Sequence, residues 1–230
     1  MNPYKQFNIY NWLTFSEQKL KTIQKASIFH DEIHFKKSCE KFSYYPQDIW
    51  LFLLASEWAK IGEEESFMGR CGELGDELGS KIIATRLVHS IMRLSFLMEK
   101  EYAPYSKWFG TAFSKLKSGE VLNPTLQNVL FANNWKDREK HLSKAYEVIA
   151  KLHNQLKITK ELPTKVKSFY DRPYLTIYGS KVFTAEILKQ IKDEQVLNIK
   201  SPIGSVNQIT NTVDLLENEK LLKRMKALYE

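Results

Sequence analysis

Residues 61–108 read IGEEESFMGRCGELGDELGSKIIATRLVHSIMRLSFLMEKEYAPYSKW, and the reading of this stretch decides the fold. A glycine-rich, acid-rich lead-in opens a long apolar segment. From Ser80 onward Ile82, Ile83, Leu87, Val88, Ile91, Met92, Leu94 and Phe96 surround almost the whole circumference of a helix. A helix that is apolar on all sides is buried, so this one is expected at the centre of a bundle. Ala103-Pro104 ends or kinks it, because proline cannot continue the hydrogen-bond ladder. Five glycines lie between Gly62 and Gly79. Each weakens a helix by up to about 1 kcal/mol relative to alanine. Their number predicts close approach by another backbone or by a ligand.

Working outward, Tyr45-Pro46-Gln-Asp48 opens a helix before this stretch, with Trp50, Leu51, Leu54 and Trp58 at helical spacing. Further upstream, residues 1–13 form an aromatic arm (Tyr4, Phe7, Tyr10, Trp12). Thr14 to Glu17 has the form of a capping box, with Ser16 as another possible cap, and 28–35 alternates weakly as in a small hairpin. Downstream, a short helix is expected over 107–116, a cap and first-turn proline at Asn123-Pro124, and a longer helix from Asn133-Asn134 to Leu156. A strand over 174–178, a helix over 181–191 and a charged helix over 215–228 complete the chain. The expectation is a mainly α fold: a helical bundle around one long buried helix, with one or two minor β elements. Three segments are expected: an arm at 1–40, a helical core at 41–160, and a strand-helix subdomain at 161–230 packed on the core.

The 230 residues suit one domain with a trailing subdomain, and 43% hydrophobic content excludes disorder as the main state. The formal charge of +7 favours anionic partners, although the positive residues are not blocked. Two cysteines without a C-x-x-C pattern fit a reducing cytoplasm and argue against a disulfide framework or structural zinc. The first residues lack a basic-then-apolar signal, and Arg86, His89 and Arg93 interrupt the longest apolar run, so no membrane span is expected.

Three groups of residues carry candidate chemistry. Arg86, His89 and Arg93 share one face of the apolar helix, and a buried guanidinium needs a carboxylate, a carbonyl or a bound anion. The acids 63–65, Glu73 and Asp76 are available as structural partners. Glu73 and Asp76, three residues apart, could hold Mg²⁺ or act as a general base, or simply complement the helix dipole. Tyr105-Ser106-Lys107-Trp108 sets a lysine beside an aromatic platform, an arrangement suited to a nucleotide. Arg70 and Arg172 are further cleft candidates. Tyr178-Gly179-Ser180 imitates the Gly-Ser of polymerase-beta-type nucleotidyltransferases. The stretch that follows has Gln195 where a second carboxylate is needed, so no catalytic metal site is expected there.

Four motifs resemble a family of uncharacterised bacterial proteins: 44–50 (YYPQDIW), 67–80 (FMGRCGELGDELGS), 102–113 (YAPYSKWFGTAF) and 171–174 (DRPY). In that family a helical domain of unknown function follows an N-terminal nucleotidyltransferase-like domain. The resemblance covers nearly all of the chain, but no strand–Gly-Ser–Asp-x-Asp unit precedes Tyr4. The resemblance therefore implies a domain inactive alone, whose catalytic half is lost or lies on another chain. The chain is also distantly similar to the helical domain of aminoglycoside adenylyltransferases. There an arginine on a long helix, a Ser-Lys and a tryptophan contact ATP, and a carboxylate serves as general base. Arg93, Ser106, Lys107 and Trp108 match in kind, and Glu73 or Asp76 could fill the acidic role. These likenesses imply binding of a nucleoside triphosphate or other anionic ligand, with Mg²⁺ and nucleotide supplied alongside a catalytic partner and no cofactor held alone. Two rival readings remain: a regulatory, antitoxin-like partner of a separate nucleotidyltransferase, and an RNA-binding protein, which the lack of a concentrated basic run weakens.

Overall fold

The computed structural model describes residues 7–32 and 34–230. Tyr4 of the aromatic arm and Ile33 lie outside them. Short helices α1 (Ile9–Thr14), α2 (Glu17–Gln24) and α3 (Phe35–Glu40) lead into two long ones, α4 (Gln47–Glu73) and α5 (Glu77–Met98). A three-residue connection joins these as a helical hairpin, with Gly75 in a positive-φ conformation that favours glycine. After a single 3₁₀ turn at Ser106–Trp108 come α6 (Phe109–Phe113), α7 (Lys117–Phe131) and α8 (Trp135–Gln155). The last two pack against α5. A two-stranded antiparallel ribbon, β1 (Lys167–Ser168) and β2 (Leu175–Thr176), pairs Lys167 with Thr176 and Ser168 with Leu175. A π-helical turn (Gly179–Thr184) and α9 (Ala185–Leu188) follow, then short helical pieces to the end.

The fold is mainly α with a minimal β element, as expected. The most enclosed rod is α4 rather than α5: α4 is buried on nearly all sides, whereas the first turns of α5 leave Leu78, Ile82 and Arg86 exposed. One apolar core draws on all three expected segments, from Leu13 and Leu20 through Leu53 and Ile91 to Phe183 and Ile187. The glycines of α4 admit protein rather than a ligand. A Cβ at Gly62 would collide with the backbone of Ser180, and one at Gly179 with the Trp58 carbonyl, so the π-helical turn lies directly on α4.

Several elements depart from the sequence expectation for identifiable reasons. Glu17 turns away from the capping position, so no box forms with Thr14. In the 28–35 stretch, the Asp31 carboxylate accepts the N–H groups of Phe35 and Lys36 and starts α3 instead of turning a hairpin. Helix α7 begins a turn and a half before Asn123-Pro124, because Glu99 accepts the N–H groups of Lys117 and Ser118 at 3.0 and 2.8 Å; Pro124 is therefore internal. The strand expected over 174–178 stops at Thr176, since the next three N–H groups go to Glu65. The helix expected over 181–191 opens as the π-helical turn and closes at Leu188. The C-terminal helix breaks at Asn218, whose side chain caps Lys220 and Leu221.

Candidate functional site

The last turns of α5, the 104–109 connection and the segment 207–217 enclose a cavity of about 180 Å³. Arg93 and His89 line one wall, Tyr105, Ser106 and Phe109 another, and the amides of Asn207 and Asn211 a third. Across Pro104 lies a wider, open groove of about 810 Å³, lined by Trp108, Lys115 and Lys117 together with Lys21, Glu99 and Glu101. Lys107 is exposed and follows Ser106 of the cavity and precedes Trp108 of the groove in the chain, its Nζ 5.3 Å from the centre of the Trp108 ring.

Arg93 is 5% exposed and is neutralised from within the protein. Its Nη2 donates to Glu17 Oε2 at 2.8 Å, and its Nε lies 3.8 Å from Glu57 Oε2. Glu57, fully buried, also accepts from Gln208 Nε2 at 2.7 Å, and Tyr45 donates to Glu17 Oε1 at 3.3 Å. The attraction of Glu17 and Glu57 outweighs desolvation and raises the affinity of the guanidinium for its proton. Its Nε finds no hydrogen-bond partner. Arg93 thus builds the cavity wall as part of a cluster with two carboxylates. It does not wait as a bare cation for an anion. His89 stacks against Phe109, with ring centres 4.9 Å apart. Burial first, then the Arg93 charge, push its pKa down to about 4, so the ring is neutral at physiological pH. The cavity offers amide and hydroxyl donors and acceptors on an aromatic wall, with one further carboxylate, Glu217, that accepts from Gln18 and pairs with Lys19.

The other expected site residues lie elsewhere. Arg86 is ion-paired with Glu64, one of the acids 63–65, while its side chain stays largely exposed. Glu73 pairs with Arg172 at 3.8 Å. Asp76 accepts the N–H of Gly79 at 2.7 Å and so caps α5. Glu73 and Asp76 were expected to share the cleft with Arg93. Asp76 sits seventeen residues away on α5, about 25 Å at about 1.5 Å per residue. Both carboxylates, with Arg70 and Arg172, belong to the opposite end of the α4–α5 hairpin, and a general base at the cleft cannot come from there. Among the described residues no group of three or more His, Cys, Asp or Glu side chains is arranged to hold a metal ion, and both cysteines are free. No described helix is long and apolar enough to cross a membrane.

Sequence reasoning missed Glu17, Glu57 and Asn207. Glu57 gave a signal: it is the one acid inside the apolar run 49–59, where a charge needs a buried partner. Residues 12–109 match a domain of unknown function (DUF4037). No curated protein and no solved structure matches the chain. The DUF4037 segment contains the α4–α5 hairpin, both carboxylate partners of Arg93 and the Tyr105–Trp108 rim. The 207–217 wall of the cavity lies outside it.

Proposed function

We propose that these residues form a helical nucleotide-binding domain that serves a nucleotidyltransferase-like catalytic unit, whose Gly-Ser/Asp-x-Asp machinery is not among them. The observation that supports this reading is the position of Tyr105–Trp108 between a hydrogen-bonding cavity and an open, lysine-lined groove. An indole more than half exposed gives a base a face to stack on. Lys107, Lys115 and Lys117 form no ion pair among the described residues, so their charge is available to phosphates. The acids in the same groove are engaged: Glu99 caps α7, and Glu101 pairs with Lys21 and Lys25. In this reading Arg93 is a positioning residue and Lys107 the phosphate ligand. Mg²⁺ would arrive with the nucleotide, and the transfer step would require a catalytic partner. Calorimetric titration with Mg-ATP and Mg-GTP tests the reading. Lys107→Ala and Trp108→Ala should each weaken binding about fivefold or more, in line with roughly 1 kcal/mol for a cation or stacking contact. Arg86→Ala should leave binding unchanged. No heat with the wild-type protein, or equal heats with all three variants, overturns it.

A second reading, a regulatory partner of a separate nucleotidyltransferase chain, is favoured by one feature. Leu78 and Ile82, one turn apart on α5, and Leu74 at the turn before it are exposed, 72, 53 and 85% accessible. Loss of co-elution with a candidate nucleotidyltransferase on Leu78→Glu/Ile82→Glu would support it. Co-elution unchanged by that variant would remove it.

A further inference from the structure

The exposed face of α8 and the β1–β2 ribbon form a second charged surface, separate from the cleft. Lys136, Lys140, Lys144 and Lys151 fall within about 80° of one another around α8, at about 100° per residue, and all are exposed. The ribbon lies alongside this face. Lys165 Nζ pairs with Glu147 at 2.8 Å, Lys136 Nζ donates to the Pro173 carbonyl at 2.6 Å, and the Leu175 N–H donates to Glu139 at 2.9 Å. These three contacts fix the ribbon over about three turns of the helix and bring Lys167 to the same side of the molecule. Lys140, Lys144 and Lys151 make no ion pair among the described residues. Beyond Lys151 the face continues into an open concavity of about 590 Å³ that also holds Lys157.

The ribbon adds aromatic rings. Phe169 stacks near-parallel with Tyr174 and Tyr178, with centres 5.8 and 6.3 Å apart. Tyr170 packs edge-on against Phe169 yet remains 63% exposed. Lys181 Nζ donates to Tyr170 Oη at 2.6 Å and fixes the ring in place. Asp137, Asp171 and, in the concavity beyond Lys151, Glu161 are exposed acids in this region, while Glu147 is taken by Lys165 and Glu139 by the ribbon. These lysines are interleaved with other residues at helical spacing along α8 and are joined by others from the ribbon, so no continuous basic run is visible in the sequence.

We infer that this surface binds single-stranded nucleic acid: the lysine row of α8 follows the phosphate backbone, and the Tyr170 ring stacks on an unpaired base. A row of ammonium groups about 6 to 10 Å apart along the helix axis, with an aromatic face beside it, is the combination by which proteins hold single strands without reading their sequence. A duplex would offer its phosphates but no unpaired base to the ring.

Fluorescence anisotropy with labelled oligo(U), at low and at physiological salt, tests the inference on the full chain. Binding should weaken steeply with salt. Lys140→Glu/Lys144→Glu/Lys151→Glu should lower the log–log salt slope by about 2, at about 0.7 per phosphate contact, and weaken binding by about tenfold or more at low salt. Tyr170→Ala should weaken it by about fivefold or more without changing the slope. The control Lys37→Glu/Lys200→Glu/Lys220→Glu makes the same change in net charge on other elements and should leave most of the affinity. Equal losses in the two triple variants would show only non-specific charge and overturn the inference. So would the absence of oligo(U) binding, tighter binding of a duplex of equal length, or a preference for anionic lipid vesicles. Each of these surface variants keeps the Lys107 rim intact, so Mg-ATP binding by the same proteins reports on the cleft independently.

Discussion

Replacing Arg93 with methionine probes the cluster that shapes the cavity wall. The guanidinium, Glu17 and Glu57 are each no more than 5% exposed, and the two carboxylates lie 2.8 and 3.8 Å from guanidinium nitrogens. Methionine fills much of the volume, so the principal loss is charge compensation: two carboxylates stay buried with no cation. Removing one partner of a buried ion pair typically destabilises by about 3–5 kcal/mol. That is a large share of a total stability of about 5–15 kcal/mol. With a urea m-value of about 2–3 kcal/mol/M, the unfolding midpoint followed by circular dichroism should fall by about 1–2 M. Neutralising all three groups, Arg93→Met/Glu17→Gln/Glu57→Gln, removes the uncompensated charge and should restore most of the loss, because an apolar or neutral replacement of a buried ionic cluster is often neutral. Arg93→Lys should fall between, since an ammonium cannot reproduce the planar fork that reaches both acids. A single-variant loss under about 1 kcal/mol, or a triple variant as unstable as the single, would refute the view that Arg93 is held by its carboxylates.

The Glu65 carboxyl accepts the N–H groups of Ile177, Tyr178 and Gly179, yet burial outweighs those bonds and raises its pKa to about 7. A folded pKa above the unfolded value of about 4.5 means that this contribution to stability is complete below about pH 4.5. It is lost as pH rises through 7, by about 3 kcal/mol at most. The difference in unfolding free energy between wild type and Glu65→Gln, measured from pH 4.5 to 8, should follow that curve and cancel the opposite trend from the neutral buried His89 and His153. A second pair of variants contrasts two glycines: Gly62→Ala meets the Ser180 backbone and should destabilise by about 2 kcal/mol or more, whereas Gly110→Ala enters open space inside α6 and should stabilise by up to about 1 kcal/mol. Thermal unfolding of the two resolves the sign. Pro124→Ala should also raise the midpoint, because it supplies the missing N–H to the Glu120 carbonyl inside α7.

What could be read from the sequence was local. The apolar circumference of 80–97, the Trp50–Trp58 spacing and the Asn134 cap gave α5, α4 and α8, because periodicity and caps act over a few residues. Features that depended on distant partners could not be read. Glu17 lies 76 residues from Arg93, and Glu65 takes N–H groups more than a hundred residues away, so a local capping box and a local strand were displaced by tertiary bonds. Pro124 looked like a helix start until Glu99 supplied an earlier one. At the site, Tyr105, Ser106, His89 and Arg93 were identified by residue type and meet around one cavity, with Trp108 on the groove across Pro104. The acids Glu73 and Asp76 were not separable from it by spacing alone, because only the direction of the hairpin places them at its other end.

The central claim, a nucleotide held at the Tyr105–Trp108 rim, is tested most directly by amide chemical-shift mapping during titration with Mg-ATP. The account predicts that saturable shifts centre on Ser106, Lys107 and Trp108, extend to the N–H groups of 115–117 and of His89, and vanish in Lys107→Ala. Shifts confined to the 73–77 turn or to α8, or a spectrum unchanged at millimolar nucleotide, would contradict it.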